Sequence, residues 1–85
     1  MEVVYSSKFE REYKKLPLNV KKLAETSESF FLNDPFYVRI KTHKLHGRLK
    51  DFYSFSIGYK YRIVFDYISK DMAHFHSIGN HNIYQ

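Results

Sequence analysis

The chain has no cysteine and no tryptophan, and its 85 residues include only three glycines and two prolines. Without cysteine there are no disulfides and no thiolate metal sites, a composition suited to a reducing compartment. There is no Gly-rich phosphate loop, no nucleophile elbow and no paired carboxylates. ATP hydrolysis, serine hydrolysis and glycosidase chemistry therefore find no support. No apolar run approaches ~18 residues and no signal-peptide pattern opens the chain. The expectation from these absences is a soluble, cytoplasmic protein without membrane association.

What is present is aromatic and basic. Eight Phe and eight Tyr predict an aromatic-rich core with tyrosines at its edges. A chain of this length forms one domain, spanning 1–85, and buries roughly 60–65% of its unfolded surface. The formal net charge is +5, but its location matters more than its size. Residues 39–62 carry Arg39, Lys41, Lys44, Arg48, Lys50, Lys60 and Arg62 against Asp51 alone, a local net of +6. The remainder of the chain is slightly acidic. A concentrated basic field attracts phosphates or acidic proteins.

Hydrophobic spacing outlines the fold. Residues 2–5 (EVVY) predict a short strand. Ser7 with Glu10 has the form of a capping box, and Phe9, Tyr13 and Leu16 recur at helical spacing. Pro17 interrupts that helix and opens a second, whose face is Val20, Leu23, Ala24, Ser27, Phe30 and Phe31. The NDP triplet at 33–35 closes it. Residues 52–57, 61–68 and 72–78 read as strands separated by three-residue turns. Antiparallel pairing sets Ile57 opposite Tyr61, Phe55 opposite Ile63, and Tyr53 opposite Phe65. Beyond the second turn it sets Phe65 opposite Phe75, Asp66 opposite His74, His76 opposite Val64, and Ile78 opposite Arg62. Side chains alternate along a strand, so one face becomes apolar and the other collects Ser54, Ser56, Arg62, Val64, Asp66, His74, His76 and Ile78. The expected fold is α+β, in the order β-α-α-β-β-β, a small antiparallel sheet with a helical hairpin packed on one face.

Three groups on this scaffold carry chemical potential. Arg62 lies mid-sheet on the open face, with His81 and Tyr84 following the last strand. Arg, His and Tyr converging on a polar surface suit metal-free phosphodiester cleavage in RNA. That reaction needs a base for the 2′-hydroxyl proton, cations for the pentavalent anion, and an acid for the leaving oxygen. The same pattern also fits a solvated arginine beside a polar turn. His74 and His76 stand at metal-binding spacing, but the sequence shows no third ligand, and His74 is expected simply to face Asp66; no metal or cofactor is expected. The basic loop RIKTHKLHGRLK (39–50) is flanked by Phe36, Tyr37, Phe52 and Tyr53, which suit base stacking, although a charge run is more often a solvated face. Lys41, Lys44, Arg48, Lys50 and Lys60 are the candidate RNA-backbone contacts. To serve Arg62, the loop must fold back across the open face.

The segment KLHGRLKDFYSFSIGYKYRIVF (44–65), followed by IGNHNIY (78–84), resembles the RelE/ParE superfamily of bacterial toxins. The likeness is closest to its RelE/YoeB/YafQ-like mRNA interferases and spans nearly the whole chain. The resemblance implies a toxin paired with an acidic antitoxin encoded beside it. It also implies a ribosome-dependent endoribonuclease that cuts mRNA by 2′-hydroxyl attack without a metal, inhibiting translation. Arg62 matches the arginine of the family's Tyr-Arg motif, which stabilises the phosphate. His81 matches a position that carries a proton-transferring histidine in some members, and Tyr84 a C-terminal aromatic that orients the substrate. RelE itself carries two catalytic lysines on the strand before the Tyr-Arg motif, where this chain has Ser54 and Ser56. Compensation would fall to His43, Lys44, His46, Lys50 or His81. The ParE branch shares the fold and acts on DNA gyrase, which leaves an alternative without nuclease activity.

Overall fold

Two adjacent serines precede the first helix, and Ser6 is the one that caps it. In the computed structural model, which describes residues 1–80, Ser6 keeps an extended backbone (φ −72°, ψ 160°). Its Oγ accepts from the Phe9 N–H at 2.9 Å. The cap thus lies one residue before the expected Ser7–Glu10 box, and Ser7 is already the first residue of α1 (Ser7–Lys14). Pro17 precedes α2 (Leu18–Asn33), and its carbonyl accepts from the Val20 and Lys21 N–H groups at 3.0 Å each. The helix ends where Asp34 N–H reaches the Phe30 carbonyl at 2.8 Å. The Asp34 carboxylate then takes the Phe36 N–H at 3.0 Å and turns the chain. Val20, Ala24, Ser27 and Phe31 are buried as expected. Leu23 is 45% exposed instead, with its Cδ1 close to Gly58. Gly58 takes a left-handed φ of 58°, and a Cβ there would meet the Leu23 Cδ1 at 3.0 Å.

The sheet has five strands: β1 (Glu2–Tyr5), β2 (His43–Lys44), β3 (Tyr53–Ile57), β4 (Tyr61–Ser69) and β5 (Met72–Gly79), in the order β1-β5-β4-β3-β2. The α+β class and the order of the expected elements hold. Two details differ. β1 runs parallel to β5, so the sheet is mixed rather than wholly antiparallel; a helical excursion, unlike a tight turn, permits parallel pairing. The basic segment also adds a two-residue strand, with His43 opposite Ser54 and Lys44 opposite Tyr53.

Pairing of β3 with β4 follows the expected register at every position from Tyr53–Phe65 to Ile57–Tyr61. Pairing of β4 with β5 holds at Phe65–Phe75, Asp66–His74 and Tyr67–Ala73, then slips by one residue. A bulge sets Val64 opposite Ser77, Ile63 opposite Ile78 and Arg62 opposite Gly79. Ile78 therefore belongs to the core and not to the open face. The bulge interrupts the ladder hydrogen bonds, and α1 supplies substitutes. Ser6 Oγ donates to the His76 carbonyl at 2.8 Å, and Glu12 Oε1 accepts from the Ile78 N–H at 3.1 Å.

Beneath the helices the core is a cluster of phenylalanines. The Phe31 ring of α2 stacks on Phe55, with centroids 4.9 Å apart, and meets Phe65 and Phe75 edge-on. Phe9, Ala24, Ile40, Ile57, Ile63, Ala73 and Ile78 complete it. Ala73, Phe75 and Ile78 tie β5 to the same layer, so both helices rest on one continuous apolar surface.

Candidate active face of the sheet

Rows of paired residues lay out the face that the helices leave uncovered. One row runs His43–Ser54–Val64–Ser77, the next Ser56–Arg62–Gly79, and a third pairs Asp66 with His74. Ser54, Val64 and Ser77 are buried, so the middle of this face is not open to solvent. The reason is the basic loop. Leu49, Phe52, Val64, His76 and Ser77 line one shallow recess with Ser6 and Lys8, which places the loop's apolar side chains over the sheet centre. Leu45 is also buried, and its N–H donates to the Phe52 carbonyl at 2.9 Å.

That anchoring explains the Leu45-x-Gly47-x-Leu49 pattern. Leu45 and Leu49 hold the loop to the sheet, while Gly47, at a left-handed φ of 67°, starts the 3₁₀ turn Gly47–Leu49 between them. Lys41 also adopts a left-handed φ of 54°, which is uncommon for a residue with a Cβ. Just before and after Lys41, the loop is tied elsewhere. Arg39 lies over the Phe30 ring of α2 at 6.0 Å, and the Thr42 hydroxyl donates to the Pro35 carbonyl at 2.5 Å. Lys41, Lys44, Arg48, Lys50 and Lys60 are all exposed. The loop is therefore a fixed frame that turns its cations outward.

Arg62 is half-buried, and its guanidinium bends toward its own turn. Nη1 donates to the Tyr61 carbonyl at 2.8 Å and to the Tyr59 carbonyl at 3.4 Å. His43 lies two strands away and two residues along, a Cα separation of roughly 12 Å by sheet spacing. Its ring Nδ1 lies 3.1 Å from the Lys41 carbonyl, which can only accept, so the contact is a hydrogen bond when Nδ1 carries a proton. His46 sits exposed at the start of the Gly47–Leu49 turn. It follows His43 in the direction leading away from the Arg62 row, so His43 is the better placed of the two. His81 and Tyr84 lie outside the described residues.

At the other end of the face, Asp66 Oδ1 is 2.9 Å from His76 Nε2 and 3.8 Å from His74 Nδ1. The two imidazole centroids are 4.1 Å apart, and the Phe52 ring meets His76 edge-on at 4.7 Å. The sequence paired His74 with Asp66 and set His76 opposite Val64; in the structure His76 lies at the bulge and reaches Asp66 more closely than His74 does.

The resolved shifts in acidity fall on tyrosines. Tyr5 is held well above the ordinary tyrosine range, first by burial and then by its hydrogen bond to the Glu28 carboxylate. Tyr13 is raised by burial and by the nearby Glu25 and Glu28 charges, and Tyr67 by burial beside Tyr53. These belong to the layer where the helices meet the sheet. No helix among the described residues is long and apolar enough to cross a membrane.

No protein-family model matches the chain, and no curated protein matches it in sequence. Solved structures do match in shape. YafQ from E. coli strain BL21(DE3) superposes with a TM-score of 0.79 over 98% of this chain and 96% of its own, at 15% identity. A YoeB/ParE toxin from Agrobacterium tumefaciens gives 0.80 over 95% and 99%, also at 15% identity. The RelB–RelE antitoxin–toxin complex from Methanococcus jannaschii gives 0.73 over 95% and 94%, at 18% identity. The chain has the fold of RelE-type toxins, as the resemblance in residues 44–84 led one to expect.

Proposed function

We propose that this chain, built on the RelE-type fold, is the toxin of a type II toxin–antitoxin pair and cleaves messenger RNA on the ribosome. The observation that carries this reading is Arg62, set on the face opposite the helices near a loop that is anchored through Leu45 and turns its cations outward. In the reaction, a base removes the 2′-hydroxyl proton and the oxygen attacks the adjacent phosphorus. The pentavalent anion gathers charge beside Arg62, whose Nε–Nη2 edge takes the phosphate. An acid then protonates the departing 5′-oxygen, leaving a 2′,3′-cyclic phosphate and a 5′-hydroxyl. His81, two residues beyond the cross-strand neighbour of Arg62, is the proposed proton-transfer group, with Tyr84 orienting the substrate. His43 is the candidate for the second proton transfer, and His46 is its less well-placed substitute. Lys41, Lys44, Arg48, Lys50 and Lys60 would hold ribosomal and messenger RNA backbone.

Purified chain added to ribosomes programmed with a message should yield cut RNA with cyclic-phosphate ends, and Arg62→Ala should not. An intact message with wild-type protein would overturn the assignment. An acidic antitoxin is proposed from the local charge of +6, supported by the complexed state of the M. jannaschii relative. Co-expression of the neighbouring acidic reading frame should restore growth; absence of both rescue and complex removes that part.

One observation favours a gyrase poison instead. Ser54 is buried and Ser56 half-buried, so β3 contributes no basic side chain beside Arg62. Inhibited supercoiling with mRNA left whole would select that reading.

A further inference from the structure

From Asp66, His74 and His76 we infer a binding site for a transition-metal ion of the Zn2+, Cu2+ or Ni2+ type, separate from the Arg62 centre. One donor atom from each of the three side chains lies within 4.8 Å of the others. A tetrahedral ion with bonds of about 2.0–2.1 Å sets its ligands about 3.3 Å apart. The two distances to Asp66 Oδ1, 2.9 Å from His76 and 3.8 Å from His74, fall on either side of that value. Small rotations of the imidazoles close the remaining gap. Two imidazole nitrogens and one carboxylate select borderline metals over Mg2+ or Ca2+, which prefer oxygen alone.

The strand backbone that carries the three ligands is fixed before any ion arrives. Asp66 and His74 are opposite each other in the ladder. His76 sits at the bulge, where its carbonyl is fixed by Ser6 and the next-but-one N–H by Glu12. The Phe52 ring blocks one side of the His76 imidazole. Such outer contacts orient metal ligands and raise affinity. The side chains remain 29–35% exposed, so an ion can reach them and a fourth position stays open to water or to a small donor ligand. Arg62 is four residues back along β4, about 13 Å away, so the ion would not sit on the phosphate held there.

The test uses the full chain with Zn2+ for calorimetry and Co2+ as the spectroscopic probe. One equivalent should bind, with the intense visible bands of four-coordinate Co2+. His74→Gln and Asp66→Asn, each checked for wild-type circular dichroism, should weaken binding by roughly 10–100-fold, at least the loss caused by removing an outer contact. His43→Gln, His46→Gln and His81→Gln should leave it unchanged. Absence of saturable binding would overturn the site. So would binding that survives both His74→Gln and Asp66→Asn, or that disappears with one of the other three histidines.

Discussion

Along β4, Ile63, Phe65 and Tyr67 pack under the helices, while Arg62, Val64 and Asp66 alternate onto the opposite face. The same backbone thus serves two surfaces with different demands. The helix-covered surface is closed by interlocked aromatic rings and is almost wholly apolar, Ser27 of α2 being the buried polar residue above it. Among the described residues, Leu49 and Phe52 cover the centre of the opposite surface, with Arg62 toward one end and the Asp66–His74–His76 group toward the other. The apolar and the polar surface are separated by the two-residue period of a strand, so substitutions on the two faces should have different consequences.

The largest effect should come from the covered face. Phe31 is fully buried among Phe55, Phe65 and Phe75, and Phe31→Ala should cost about 3–5 kcal/mol of stability, measured by urea unfolding. A loss below 1 kcal/mol would mean that the ring cluster is not the keystone described here. On the opposite face, Arg62→Ala should lower message cleavage by about 10²–10³-fold, a loss comparable to removing one transition-state donor. The urea midpoint should stay near wild type; a collapse of the fold instead would erase the contrast between the faces. Between these extremes, Glu12→Ala should cost about 1–3 kcal/mol by stripping the Ile78 N–H of its acceptor. Glu12→Gln, which keeps an acceptor oxygen, should cost less.

The smallest effect is one of pH. Folded Tyr5 holds its proton above the ordinary tyrosine value of 10.0, chiefly through burial. Its contribution is therefore intact below pH 10 and is lost as pH rises toward the folded value. Stability against urea should fall on alkaline titration, and Tyr5→Phe should make that fall shallower. An unchanged slope would remove Tyr5 from the account.

Much of this contrast was legible in the residues themselves, and the exceptions have physical causes. Alternation in FYSFSI and YRIVFDYI sorts apolar from polar side chains so cleanly that the β3–β4 register follows from it. The bulge does not follow, because HFHSIG contains no local marker at His76–Ser77. It is sustained by Ser6 and Glu12, some sixty-five to seventy residues away in sequence. That slip moved Ile78 into the core. Ser6 and Ser7 are chemically equivalent as caps, and only the backbone angles distinguish them. The strand His43–Lys44 lacks the β-branched residues that announce a strand, and its pairing depends on Leu45 and the left-handed Gly47. The place of Arg62 on the face opposite the helices was legible because it depends only on the undisturbed β3–β4 pairing.

The proposed reaction is cleavage of translated messages through Arg62. Mapping RNA 5′ ends across the transcriptome after induction, in wild type and Arg62→Ala, tests it most directly. Wild type should give new 5′-hydroxyl ends within translated reading frames, and Arg62→Ala should give about 100-fold fewer or less. Messages left whole during growth arrest, or the same ends persisting in Arg62→Ala, would contradict it.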